Sequence, residues 1–283
     1  MTSFLEHWQL EERPFESVTD SRFFYESSCH REALARLRYL VEQQSMVLGM
    51  LTGEIGCGKT MTLNRYISNL DHSRFLTIFF ENSFFSIEAM LKRILNSLGL
   101  SEHTEIADFA ELYELFASSL AQVRETHNRH MILVFDEAQD MERETLSRVC
   151  RLTNLNGNGG HKLSIILVGQ PELRGLVGDI PSLDQRISLR FHLKSLESSD
   201  VTPYLEHRLS VAGSLRKDLF HPDAARLMYD ASEGVPRQIN RLAKLAMEDA
   251  SARGTRQISA DDIMTVARDL QRHHPQMRLP VLG

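Results

Sequence analysis

The octapeptide GEIGCGKT, Gly53 to Thr60, constrains this chain more than any other stretch. It matches the pattern G-x-x-x-x-G-K-[ST]. It follows the apolar run VLGML and leads into TMTLNRYISNL, which has the composition of a helix. Strand, glycine loop and helix in that order build a cradle for phosphate. The glycines let backbone N–H groups curl around a β-phosphate, and Lys59 reaches the β and γ oxygens. The Thr60 hydroxyl, at a helix N-terminus whose dipole favours anions, can ligate Mg²⁺. The nucleotide-binding set read from the motif is Gly53, Glu54, Ile55, Gly56, Cys57, Gly58, Lys59, Thr60 and Met61. Cys57, inside the loop, reads as a small filler with no redox role.

The rest of the chain supplies the sheet such a loop needs. Five apolar runs with β character, VLGML, RFLTIFF, MILVFDEA, LSIILVGQ and ISLRFHL, are separated by helix-length segments. Near-continuous apolar runs in the middle strands are the mark of a parallel sheet covered on both faces, so the fold class is α/β. After about Lys194 the strand signals stop and helical patterns take over, several ending at a glycine. Ser259 and Asp262 form a near capping box, with Asp in the usual place of Glu or Gln. A length of 283 residues suits one large domain with a smaller one appended. The expected division is an aromatic-rich segment at 1–28 packed on the nucleotide-binding core, an α/β domain at 29–195, a helical domain at 196–272 and a loose tail at 273–283.

Composition narrows the function classes. No run of about 18 uncharged apolar residues is present to span a bilayer. The acidic N-terminus MTSFLEHWQLEERPF lacks the basic and apolar regions of a signal peptide, so a cytoplasmic protein is expected. Three widely spaced cysteines fit reduced thiols rather than a disulfide framework, and the 12 histidines form no HxxxH spacing for a structural metal. A formal charge of −6 argues against a dedicated nucleic-acid binder.

Further along, MILVFDEAQD ends an apolar strand with two acids. Beside a phosphate loop, Asp136 can hold Mg²⁺ through water and Glu137 can polarise the attacking water. At the next strand end Gln170 offers an uncharged amide. It either orients the lytic water or touches the γ-phosphate, or it is a turn residue before Pro171. Arg237 opens a helix after a Gly/Pro break, where a cation opposes the helix dipole. That mismatch favours a role at the nucleotide over a solvated side chain.

Together these residues resemble the AAA+ ATPases, and within them the ExeA-like group of general secretion pathway proteins. The shared segments are HWQLEERPFESVTDSRFFYESSCHREALARLRYLVE, LTGEIGCGKT, VFDEAQD, LVGQPEL, LDQRISLRFHL, YLEHRLSVAG and GVPRQINRLA, from about His7 to Leu270. The resemblance implies an ATP-binding P-loop sheet of five strands in the order 5-1-4-3-2, a helical lid, and homo-oligomeric rings or filaments with nucleotide between subunits. It implies Lys59 and Thr60 as the Walker A pair, Asp136 and Glu137 as the Walker B pair, Gln170 as sensor 1 and Arg237 as sensor 2. It also places an arginine finger at Arg186, just before the last strand, against the plainer reading of a surface salt bridge with Asp184. Arg190 is read as a strand-face residue. Secretion members continue into a membrane span and a peptidoglycan-binding domain; here the lid is followed only by the tail, so a cell-wall role is not carried over.

Two functions follow from these readings. The first is an Mg²⁺-dependent ATPase that remodels or positions a membrane-associated protein assembly of the secretion, pilus or export kind, reaching the inner membrane through that partner. The second, less favoured, is an ATP-dependent switch on DNA of the transposition-helper type. Its support is the arginine row Arg143, Arg148 and Arg151, followed by the loop NGNGGHK with Lys162.

Overall fold

The five apolar runs fold into one parallel sheet: β1 (Leu48–Gly53), β2 (Phe75–Phe80), β3 (His130–Phe135), β4 (Leu163–Gly169) and β5 (Ile187–Leu193). In the computed structural model, which describes residues 3–16, 20–42, 47–81, 85–100, 106, 108–155 and 163–273, the strand order is β2-β3-β4-β1-β5 with every pairing parallel. This is the expected order read from the other edge. Every residue of β1, β3 and β4 is buried, which is why their sequences are apolar without alternation. At the sheet edge, β5 alternates instead: Ile187 is buried and Leu189 and Phe191 are half-buried, while Ser188 and Arg190 are exposed.

Contacts divide the chain into two units, one of residues 32–53 and 62–193, the other of residues 1–31, 54–61 and 194–283. In the sheet unit, Met50, Phe80, Leu133, Phe135 and Leu167 pack with residues of α4 (Ile87–Ser97), α5 (Phe109–His127), α6 (Arg143–Leu152), α7 (Leu173–Gly178) and α8 (Pro181–Asp184). Toward the other face, Ala33 and Leu37 of α2 (Ser28–Glu42) line a small cavity together with Gly49 and Leu51. The sheet is therefore covered on both sides. The helix following the glycine loop is α3 (Lys59–Ser68).

The second unit is helical. Its core joins residues of α9 (Ser198–Val211), α10 (Pro222–Ser232), α11 (Pro236–Ala252) and α12 (Ala260–His273). Ser259 and Asp262 do form the reciprocal box at the start of α12: the Asp262 carboxylate accepts the Ser259 N–H at 2.7 Å, and the Ser259 hydroxyl accepts the Asp262 N–H at 3.3 Å.

The N-terminal segment belongs with the helical unit, where Trp8, Leu10, Phe15 and Phe23 are buried among Leu205, Leu209, Met228 and Leu242. Two polar anchors explain the choice. The Trp8 indole N–H donates to the Met247 carbonyl at 3.2 Å. Arg208 of α9, only 3% exposed, donates to the carbonyls of Pro14 at 2.7 Å and Glu16 at 3.1 Å, with its guanidinium over Phe15 and Phe23. Among the described residues, no helix is long and apolar enough to cross a membrane. The loop carrying Lys162 and the tail beyond His273 lie outside the described residues.

Candidate functional site

The glycine loop leaves β1 at Gly53 and enters α3 at Lys59. Gly56 and Gly58 have φ of 84° and 99°, a region open to glycine at little cost, and this curls the intervening N–H groups. Lys59 is buried to 6% exposure, and its Nζ donates across the loop to the Glu54 carbonyl at 3.0 Å. The Cys57 side chain is fully buried, and burial pushes its thiol above the usual range, which keeps it protonated and supports the filler reading. Ile55 at the loop tip is exposed.

Two residues of the helical unit are seated on this loop. Pro236 starts α11 at a position where its missing N–H costs nothing, and the next residue, Arg237, donates its backbone N–H to the Gly56 carbonyl at 3.3 Å. A Cβ at Gly56 would come within 2.6 Å of Arg237 Cβ, so the loop glycine also makes room for the arginine. Sequence reasoning had Arg237 at the nucleotide and missed the second residue, His30. Its Nε2 would lie 3.1 Å from a Cβ at Gly58, its Nδ1 is 2.7 Å from Ser27 Oγ, and its ring meets Phe24 edge-on. Burial pushes the His30 imidazole down to about 4, so the ring against the loop is neutral at pH 7. No ligand pattern in the sequence marked it.

In the sheet unit the parallel strand order sets the ends of β3, β4 and β1 side by side along one edge. Asp136 follows β3, is 3% exposed, and accepts the Glu137 N–H on Oδ1 at 3.0 Å. Glu137 adopts the left-handed conformation, φ 50° and ψ 41°, before a 3-10 turn at Ala138–Asp140. That turn brings in a residue the motif reading passed over. Gln139 Nε2 donates to Glu137 Oε2 at 2.9 Å, and Gln139 Oε1 accepts the Gln170 N–H at 2.9 Å. Gln170 Nε2 is 3.5 Å from the same Glu137 oxygen. Beside this group, Arg174 of α7 donates to Thr52 Oγ1 at 3.1 Å, and Thr52 Oγ1 lies 3.2 Å from His192 Nδ1.

Arg186 and Arg190 have different surroundings. Arg190 donates to the Asp184 carboxylate at 2.7 Å, taking the salt bridge considered for Arg186. Arg186 is exposed and donates to the neutral oxygens of Thr153 and Asn154.

A sequence model described as an AAA domain matches residues 42–177. General secretion pathway protein A of Aeromonas hydrophila is 31% identical over 269 residues, 94% of this chain and 48% of that protein, so the chain spans about half the length of this relative. Among solved structures, the ORC2 protein of Aeropyrum pernix in ADPNP-ADP complexes is similar with a TM-score of 0.68 at 18% identity, covering 92% of this chain and 71% of that one. The ORC1 protein of Aeropyrum pernix in complex with DNA is similar with a TM-score of 0.63 at 16% identity, covering 92% and 69%. At those identities the structural likeness speaks to the fold alone. The parallel five-stranded sheet and its glycine loop thus carry an AAA domain at residues 42–177, in a chain similar to General secretion pathway protein A along 94% of its length.

Proposed function

We propose that the chain is an Mg²⁺-dependent ATPase that hydrolyses ATP between subunits and uses the cycle to reposition a partner assembly. The observation that carries this reading is the strand order, because it sets Gly53, the pair Asp136 and Glu137, and Gln170 at neighbouring ends of one parallel sheet. Lys59 and the loop N–H groups bind the β and γ phosphates. The Thr60 hydroxyl and the Asp136 carboxylate are hard oxygen donors, the chemistry that Mg²⁺ takes. The bond from the Glu137 N–H holds the Asp136 carboxylate in place at the strand end. When bound, Mg²⁺ would neutralise charge on the phosphates.

Glu137 takes a proton from water as the water oxygen bonds to the γ-phosphorus. The bond from phosphorus to the β–γ bridging oxygen breaks, giving ADP and phosphate. Gln170 orients that water, and Arg237, seated on the loop at Gly56, senses the γ-phosphate. Arg186 is the candidate to reach a neighbouring subunit's nucleotide. It is supported by its exposure and by its neutral partners, which leave its charge uncompensated among the described residues.

The likeness to General secretion pathway protein A supports a partner in a secretion assembly; a pilus or export assembly, and a cytoplasmic location against the inner membrane, belong to the same proposal. The DNA reading is weakened at its own residues: Arg148 is committed to Glu88 and Glu144, and Arg143 to the Asp179 carbonyl. ATP turnover measured with and without duplex DNA over a salt series separates the two. The proposal expects Mg²⁺-dependent phosphate release that DNA leaves unchanged. Stimulation that fades with salt would favour the DNA switch instead.

A further inference from the structure

We propose that Gln139 is a positioning residue for hydrolysis, bridging the Glu137 carboxylate to the backbone at the end of β4. The inference rests on the reading of Glu137 as the base.

The geometry of the bridge is specific. A glutamine amide has a donor end and an acceptor end, and here each meets its complement. Nε2 faces the acceptor-only carboxylate of Glu137 at 2.9 Å, and Oε1 faces the donor-only N–H of Gln170 at 2.9 Å. Turning the amide over would set donor against donor and acceptor against acceptor, so its orientation is fixed by both neighbours. The bridge holds Glu137 Oε2 and leaves Oε1 as the oxygen for an incoming proton.

Two backbone features serve this contact. Glu137 takes a left-handed conformation that non-glycine residues rarely adopt, and the tight turn it starts returns Gln139 toward the strand ends. Across the gap, Gly169 ends β4 without a side chain. A Cβ there would lie 2.5 Å from Gln139 Oε1 and 3.3 Å from the Gln139 backbone nitrogen. The close approach of the amide therefore depends on glycine at this position. The carboxylate is tied in this way to the strand that also presents Gln170, so a movement of the β4 end is passed to the base through one side chain.

Catalysis is sensitive to such placement, since an error of about 1 Å in a reacting group can lower a rate by about a hundredfold. The test uses the full chain and measures ATP turnover, KM, nucleotide binding and melting temperature in parallel. Gln139→Met keeps the length of the side chain and removes the amide. Its expected result is a fall in kcat of about tenfold to a hundredfold, with KM and nucleotide affinity within about twofold of wild type. Gly169→Ala attacks the same contact without touching Gln139 and is expected to show the same loss of kcat. The double variant Gly169→Ala with Gln139→Ala should be no slower than Gln139→Ala alone, because both changes remove one contact. A merely structural role would lower stability and binding together, and its losses would multiply in the double variant.

Wild-type kcat in Gln139→Met, losses that multiply, or a change in KM with kcat preserved would each overturn the proposal. Glu137→Gln serves as the control for the reading beneath it. An inactive Glu137→Gln beside a fully active Gln139→Met refutes the positioning role and leaves the base standing, whereas a fully active Glu137→Gln refutes the base itself.

Discussion

His30 is 3% exposed, with its Nδ1 at Ser27 Oγ, and burial holds its imidazole at about 4 in the folded chain against about 6.5 when unfolded. Between those values the unfolded chain binds a proton that the folded chain does not. Stability therefore falls as pH drops from about 6.5 to about 4, by up to about 3 kcal/mol. Burial lowers His207 too, so the wild-type slope is shared, and the difference made by His30→Gln isolates this group. Melting temperature against pH should be flatter in that variant; parallel curves would contradict the assignment. On the same loop, Gly56→Ala forces a side chain onto φ of 84° and against Arg237, and should weaken nucleotide binding while leaving the sheet intact. Unchanged affinity by titration with a fluorescent ATP analogue would refute that.

Lys59, Thr60, Asp136 and Glu137 could be proposed from the sequence, because their candidate roles follow from spacing along one segment. The placements of His30 and Gln139 could not, because their partners are the loop at Gly58, the turn at Glu137 and the bare backbone at Gly169, all set by the folded backbone.

At the scale of elements, the strands were legible because a parallel strand buried on both faces must be largely apolar, and β1, β3 and β4 are, each with one polar residue, Thr52, His130 and Ser164. The start of α12 was legible for a similarly local reason, its box of Ser259 and Asp262. Ser259→Ala should cost about 1 kcal/mol in a denaturant melt, and no loss would contradict the cap. The packing of the N-terminal segment could not be read, since its aromatic strip suits any apolar surface. The deciding contacts are long-range, above all Arg208 to the carbonyls of Pro14 and Glu16. Arg208→Met leaves those carbonyls without their donor and should destabilise the helical unit by about 2–4 kcal/mol, with faster protease cleavage in the N-terminal segment. Wild-type resistance would show that the apolar contacts hold the segment without the arginine.

For the whole molecule, the proposed cycle needs more than one subunit, and this was the least legible property, because a residue acting in trans leaves no spacing signature in its own chain. Arg186→Ala subunits should bind ATP normally. When mixed with wild type they should lower turnover by more than their share, because each would also silence a neighbour. Turnover falling in strict proportion to the variant would contradict a role in trans. The central claim is narrower, that the chain hydrolyses ATP with Glu137 as its base. The direct measurement is ATP binding and Mg²⁺-dependent phosphate release by wild type and Glu137→Gln side by side. The account predicts equal binding, with release in the variant slower by about a hundredfold or more; equal release from the two proteins would contradict it.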